Sequence, residues 1–170
     1  VTSPGLTGSP LAVNATASAG VATTTLAPQL DTLTAIGATR LLVATARDGA
    51  GSVTAGSFSW GSRDSSRVTV DSTGRARAVA NGATWVIVTE AGGTRDSARI
   101  VVEQRLASIA VTPAARSIYL GASFAFTASA VDGLGVPLAA QPTVVWSTLS
   151  GAIASITTGG IATGVGLGAT

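Results

Sequence analysis

Ile36-Gly37-Ala38-Thr39-Arg40-Leu41-Leu42-Val43-Ala44-Thr45-Ala46-Arg47-Asp48-Gly49-Ala50-Gly51 recurs as Leu120-Gly121-Ala122-Ser123-Phe124-Ala125-Phe126-Thr127-Ala128-Ser129-Ala130-Val131-Asp132-Gly133-Leu134-Gly135. In each copy the apolar residues Leu42, Ala44 and Ala46, or Phe126, Ala128 and Ala130, fall on every second position. That is the spacing of a strand with one buried face. Asp48-Gly49-Ala50-Gly51 and Asp132-Gly133-Leu134-Gly135 then supply the Asp and the glycines that a hairpin turn needs. The register continues from Trp60 to Trp146 and from Gly82-Ala83-Thr84 to Gly168-Ala169-Thr170, with an offset of 84 residues that grows to 86. Self-similarity at this length suits a small β-sandwich repeated in tandem.

Working outward, Ser57-Phe58-Ser59-Trp60 and Thr143-Val144-Val145-Trp146 again alternate large residues, and each Trp is expected to anchor a core between two sheets. Asp71-Ser72-Thr73-Gly74 reads as a tight turn, matched by Thr157-Thr158-Gly159-Gly160. Val86 with Val88, and Ile100 with Val102, mark two closing strands around the turn Ala91-Gly92-Gly93-Thr94. Turn signals every 8–12 residues and about seven short strands per copy predict a two-sheet antiparallel sandwich. Residues 1–20 read as an extended, uncharged arm, 21–105 as the first domain and 106–170 as the second, joined near Glu103-Gln104-Arg105-Leu106. The second copy lacks counterparts of Trp85 to Gln104, so its sandwich is expected to be completed from outside residues 106–170, by a longer chain, by another subunit or by residues 1–20, the alternative being a degenerate repeat that is only partly folded.

The set Gly37, Leu42, Ala44, Ala46, Asp48, Gly51, Trp60, Ser62, Val68, Val70, Asp71, Gly74, Val79, Gly82 and Thr84 is similar to bacterial immunoglobulin-like domains of group 2. Gly121, Phe126, Ala128, Ala130, Asp132, Gly135, Trp146, Ser147, Ile156, Gly160, Val165, Gly168 and Thr170 carry it in the second copy. The resemblance covers about residues 21–170. It implies tandem immunoglobulin-like sandwiches, an extracytoplasmic setting (periplasmic or cell-surface), and modules that present, space or bind. It brings no shared catalytic residues.

Chemistry is narrowed by residue types the chain does not contain. The 170 residues include no His, Cys, Met or Lys, so Ser-His-Asp, Cys-His and Ser-Lys nucleophile arrangements cannot be assembled. Disulfides, imidazole or thiolate metal sites and a P-loop lysine are excluded with them. Asp64, Asp71, Glu90, Asp96 and Glu103 remain as carboxylates for glycoside chemistry, but most sit beside Arg or in turns, as solvated surface does. One Asp per hairpin falls far short of a calcium ligand set. The expectation is no enzyme, no cofactor and no metal. Asn14-Ala15-Thr16 fits a glycosylation acceptor only by pattern.

The pI of 10.4 comes from ten Arg and no Lys, whereas the net charge is only +2. Asp64 and Asp71 interrupt the nearest approach to a basic cluster, Arg63, Arg67, Arg75 and Arg77. Nucleic acid is therefore not an expected partner. Gly160, Gly164 and Gly168 mimic a membrane-helix packing stripe. The matching stretch of the first copy, Thr73–Thr84, contains Arg75, Arg77 and Asn81, so a strand–turn–strand is expected and no membrane span.

Nine of the ten Arg and seven of the eight acids lie between Asp31 and Arg105, which leaves the arm and the second domain with little charge. Such surface is either covered by a partner or hydrated through Thr, Ser and Gly. Trp85 and Ile87 alternate with Val86 and Val88 and so point away from the core. They join Leu11 and Val13 of the arm, and Ile161 and Thr163, which replace Arg75 and Arg77, as candidate protein contacts. The partners expected are other protein subunits or further copies of the chain, with docking at the periplasmic face of a membrane complex as one setting. The function read from this is an accessory scaffold holding a larger envelope complex together. The alternatives are a segment of an adhesin or filament and, from another class, a carbohydrate-binding module using Trp85 and Tyr119.

Overall fold

The computed structural model describes residues 20–170, and among these it contains strands and turns and no helix. The proposed contacts Leu11 and Val13 lie outside the described residues. Ten strands form the N-terminal unit: β1 (Thr23–Ala27), β2 (Leu30–Leu33), β3 (Thr39–Leu41), β4 (Val43–Arg47), β5 (Val53–Thr54), β6 (Phe58–Ser62), β7 (Val68–Val70), β8 (Arg75–Ala78), β9 (Gly82–Glu90) and β10 (Arg95–Val102). They pair in the orders β1-β4-β5, β3-β8-β7 and β2-β10-β9-β6.

Leu42 alone separates β3 from β4, so the two three-stranded sheets share one run of chain and form one layer. There the Leu42 amide donates to Gly74 O at 2.9 Å and its side chain is 1% exposed. The four-stranded sheet is the opposing layer. Leu26, Leu42, Val68, Ala76 and Ala78 from one layer meet Leu33, Val86, Val88, Ala98, Ile100 and Val102 from the other in a single buried cluster. This is an immunoglobulin-like sandwich, held by alternating inward residues as the period-two pattern requires. All pairings are antiparallel except β2 with β10, which run parallel from Leu30↔Arg99 to Leu33↔Val102. The chain changes sheets between β1 and β2, and Asp96 of β10 ties down that crossing by accepting the Leu26 amide at 2.8 Å.

The C-terminal unit repeats one layer. Its strands are β11 (Ser108–Thr112), β12 (Ser123–Ala125), β13 (Thr127–Val131), β14 (Ala154–Ile156) and β15 (Ile161–Gly164). They pair as β11-β13 and β12-β15-β14, reproducing β1-β4 and β3-β8-β7. Phe126 breaks β12 from β13 as Leu42 breaks β3 from β4, and its amide donates to Gly160 O at 2.9 Å. Even a replaced interaction keeps its place. Arg40 pairs with Asp31 at 2.8 Å in the first unit. At the matching positions Arg116 lies 4.9 Å from the centroid of the Phe124 ring, so an ion pair has become a cation–π contact.

The second layer has no strands here. Residues 114–118 follow Pro113 as β2 follows Pro28, yet they form no strand because the partner type, β10, has no counterpart. The expected strand at Thr143–Trp146 is likewise irregular, since β6 is held by β9 and nothing equivalent to β9 pairs with it. The Trp seat nevertheless survives. In the first unit Trp60 and the Leu42 carbonyl crowd Gly74; in the second, Trp146 and the Phe126 carbonyl crowd Gly160.

Candidate protein-contact site

Each hairpin turn is closed by its own Asp. Asp48 Oδ1 accepts the amides of Ala50 and Ser52, each at 2.9 Å. Asp132 Oδ1 accepts those of Leu134 and Val136 at 2.9 and 3.1 Å. Gly51 and Gly135, with φ of 83° and 78°, complete the two turns in the left-handed region that glycine adopts without steric cost.

The second oxygen distinguishes them. Asp132 Oδ2 reaches out of its own unit and accepts the Ile36 amide at 2.9 Å and Gln104 Nε2 at 3.0 Å. Gln104 is itself fixed, since Asn81 Oδ1 accepts its backbone amide at 2.8 Å and its Oε1 accepts the Ala139 amide at 3.2 Å. One carboxylate thus joins the first unit, the linker and the second unit. It is 2% exposed. Burial raises its pKa, but the hydrogen bonds from Gln104, Ile36, Leu134 and Val136 outweigh this and lower it to about 2. The carboxylate is therefore charged at neutral pH, and its partners are neutral dipoles.

The sequence-predicted residues fall in separate places. Val86 and Val88 are fully buried, while Trp85 is 41% exposed on the outer face of the four-stranded sheet with Ile87 half-buried beside it. The β-ladder places Arg99 opposite both Trp85 and Leu30, giving an outward row of Leu30, Arg99 and Trp85. Ile161 and Thr163 lie on β15, opposite Ala125 and Ser123 of β12, with the Ser123 and Thr163 hydroxyls 2.7 Å apart. Ile161 is exposed and Thr163 half-buried. No described contact joins these residues to Trp85. Tyr119, the second aromatic of the carbohydrate-binding alternative, is in the other unit and 89% exposed.

A third feature is the uncovered inner face of the C-terminal layer. It forms a cleft of about 580 Å³ lined by Phe126, Ile153, Ile156, Ala162 and the chain around Thr148 and Thr170. Among the described residues no group of three acidic side chains is placed to hold a metal ion, and no helix is long and apolar enough to cross a membrane.

Sequence reasoning reached Asp48 and Asp132 as turn residues but missed the junction. Gln104 carried no signal beyond its place in the linker, and a backbone donor such as Ile36 N–H has no side-chain signature. The one available clue was the Asp132 turn standing in a domain otherwise almost without charge.

No protein-family model matches this chain, and no curated protein matches it. Among solved structures it is similar to the S-layer protein rSbsC(31-844), with 17% identity over 84% of this chain and 21% of that one, at a TM-score of 0.46. The human protocadherin-24 EC1-2 structure gives 15% identity over 86% and 79%, at 0.39. The adhesin InvE of Yersinia pseudotuberculosis gives 15% over 84% and 51%, at 0.35. The chain thus spans about a fifth of the S-layer structure, and at these scores none of the likenesses bears on function.

Proposed function

We propose that this chain is a non-catalytic, extracytoplasmic protein-binding module whose two units, 21–105 and 106–170, space and hold other proteins, as an accessory scaffold in a larger envelope complex. The observation that carries this is the Asp132 junction. A buried carboxylate that ties two sandwich layers and their linker together sets a fixed relation between surfaces, which is what a spacer needs and a flexible tether does not. The outward row of Leu30, Arg99 and Trp85 and the exposed Ile161 offer contact area on either side of that joint. Trp and Arg are the residue types that most often dominate protein contacts. The open layer of the second unit suits strands patterned like β9 and β10, which cover the same layer in the first.

A second reading, a segment of an adhesin or filament, is favoured by one observation: the turn that makes the joint occurs at both Asp48 and Asp132.

The test is fractionation of cells making the intact protein, with protease applied to unbroken cells. The scaffold reading expects recovery in the envelope at a fixed ratio to unrelated subunits. Long assemblies of the protein alone at the surface select the second reading, and recovery in the cytosol overturns both.

A further inference from the structure

We propose that the outer face of the four-stranded sheet docks an acidic segment of a different protein, seated on Trp85 and Ile87 between Arg63, Arg95 and Arg99. This partner chemistry rests on the reading of the chain as a protein-binding module.

Strand alternation sorts charge here as well as hydropathy. The sheet carries three acids, Asp31, Glu90 and Asp96, each two residues from a buried core residue (Leu33, Val88 and Ala98) and so turned to the inner side. Each is already engaged there. Asp31 pairs with Arg40 at 2.8 Å, Asp96 accepts the Leu26 amide at 2.8 Å, and Glu90 accepts the Gly92 amide at 2.6 Å. Arg95 and Arg99 take the alternate positions of β10 and are exposed on the outer side. Arg63 directly follows β6, and its amide donates to Trp85 O at 2.9 Å, which extends the β6–β9 register by one residue. Trp85 is thus flanked by Arg63 on one neighbouring strand line and Arg99 on the other.

The outward positions of these four strands, with Arg63, hold three cations and no acid. Among the described residues none of the three guanidinium groups has an ion pair or a hydrogen bond. Asp64, next to Arg63 in the chain, is held in its own turn by the Ser66 amide at 3.0 Å and by Arg67 at 3.8 Å. Strand spacing puts the Arg63 and Arg99 backbones about 10 Å apart across the sheet, and that of Arg95 about 14 Å from Arg99 along it. Inside this frame Trp85 is 41% exposed and Ile87 half-buried, and Leu30 prolongs the row past Arg99. An aromatic and aliphatic centre with arginine around it is the make-up of a protein contact. The aliphatic Leu30 and Ile87 favour apolar side chains over the hydroxyl-rich faces of a glycan, which would lose hydrogen bonds against them.

A second copy of the chain does not fit this face. Two such faces packed together would set Arg against Arg. The remaining acids are also engaged, Asp48 and Asp71 in their turns, Asp132 in the joint and Glu103 with Arg105. Residues 1–30 and 133–170 contain no charged side chain and so supply no carboxylate. The complementary charge belongs to another molecule.

The test titrates the isotope-labelled 170-residue chain with a synthetic peptide of Glu-Ser-Leu-Ser repeats, which when extended places Glu and Leu alternately along one side. The Trp85 indole N–H is expected to shift with the neighbouring amides of β9 and β10, and the affinity to fall as salt rises. Arg99→Glu should weaken binding about tenfold or more, whereas Arg77→Glu, the same charge change on the opposite layer, should leave it within about twofold. Circular dichroism and thermal unfolding check that each variant is folded. Trp85→Ala, which alters no charge, is the second probe of the face and should also weaken binding about tenfold. Equal losses from Arg99→Glu and Arg77→Glu overturn the proposal, as does equal binding of a peptide with Gln in place of Glu. Absence of binding overturns it too, and binding of polygalacturonate in place of the peptide gives the face to an acidic glycan instead. Envelope recovery of the intact protein is scored separately, so any of these results can sink the acidic partner while the scaffold reading stands.

Discussion

Gly74 lies against Trp60 so closely that a Cβ on the glycine would stand 2.6 Å from the indole Cζ2 and 2.7 Å from the Leu42 carbonyl oxygen. Its φ of 82° also belongs to glycine. Two requirements meet at one residue: the left-handed turn after Asp71, and the closeness that lets Trp60 close the end of the core. Gly74→Ala is therefore expected to destabilise the first unit by about 1–3 kcal/mol, from overpacking and backbone strain together. Urea unfolding followed by Trp fluorescence reads it directly. An unchanged midpoint would mean that the indole has room to move aside.

The Asp132 carboxylate makes the joint sensitive to acid. With its pKa lowered to about 2 in the folded protein, against about 3.9 for an unfolded Asp, it contributes stability that is fully present above about pH 4. That contribution is lost as pH falls through about 2. Titration of the Ile36 amide by NMR should show a midpoint near 2, well below that of an ordinary Asp. Gln104→Ala should raise the midpoint, since it removes the largest of the hydrogen bonds lowering it. A midpoint near 4 in the parent protein would break the link between this carboxylate and the joint.

Leu42 and Phe126 occupy matching positions in layers that are covered and uncovered. Leu42 is 1% exposed within the sandwich core, whereas Phe126 lines the open cleft. Leu42→Ala should cost about 2–5 kcal/mol, the usual range for a leucine buried in a closed core. Phe126→Ala should cost less despite removing a larger side chain, because it opens no new cavity. Equal losses in denaturant titrations would show that the second core is as closed as the first.

Thr84 faces the core of β9 with a buried hydroxyl that has no hydrogen-bond partner. Thr84→Val keeps the branched shape and removes the desolvated oxygen, so stability should be unchanged or rise by about 1 kcal/mol. A loss of that size in a thermal melt would point to a bond formed by the hydroxyl in solution.

Much of the fold was legible because it repeats a two-residue period that burial enforces. Leu42 and Ala46 inward with Leu41 and Val43 outward, and Val86 and Val88 inward with Trp85 outward, follow from alternation alone. The hairpins came from the Asp and Gly residues of their turns. The strand expected at Thr143–Trp146 shows where this fails, since a strand is a pairing and no local pattern reveals that a partner is absent. The contact residues show the same limit. Trp85 could be recognised as outward, and the β9–β10 hairpin sets it beside Arg99, but the extension of that row to Leu30 depends on β2 running parallel to β10, a long-range choice. Asp132 was legible only as a turn residue, because one oxygen closes the turn as any Asp would. The other meets an amide 96 residues away.

The parallel pairing of β2 with β10 has a mechanical consequence. Tension drawn along the chain enters the first unit through β1, passes to β2 across the crossing at Pro28, and leaves from the far end of β10. Parallel neighbours pulled from those opposite ends are loaded in shear. The bonds from Gln29 O to Leu33 O, which accept the Arg99 and Glu103 amides at 2.8 and 2.9 Å, then bear the force together instead of opening one after another. Stretching the unit therefore has to slide β2 along β10 rather than peel one strand from the other.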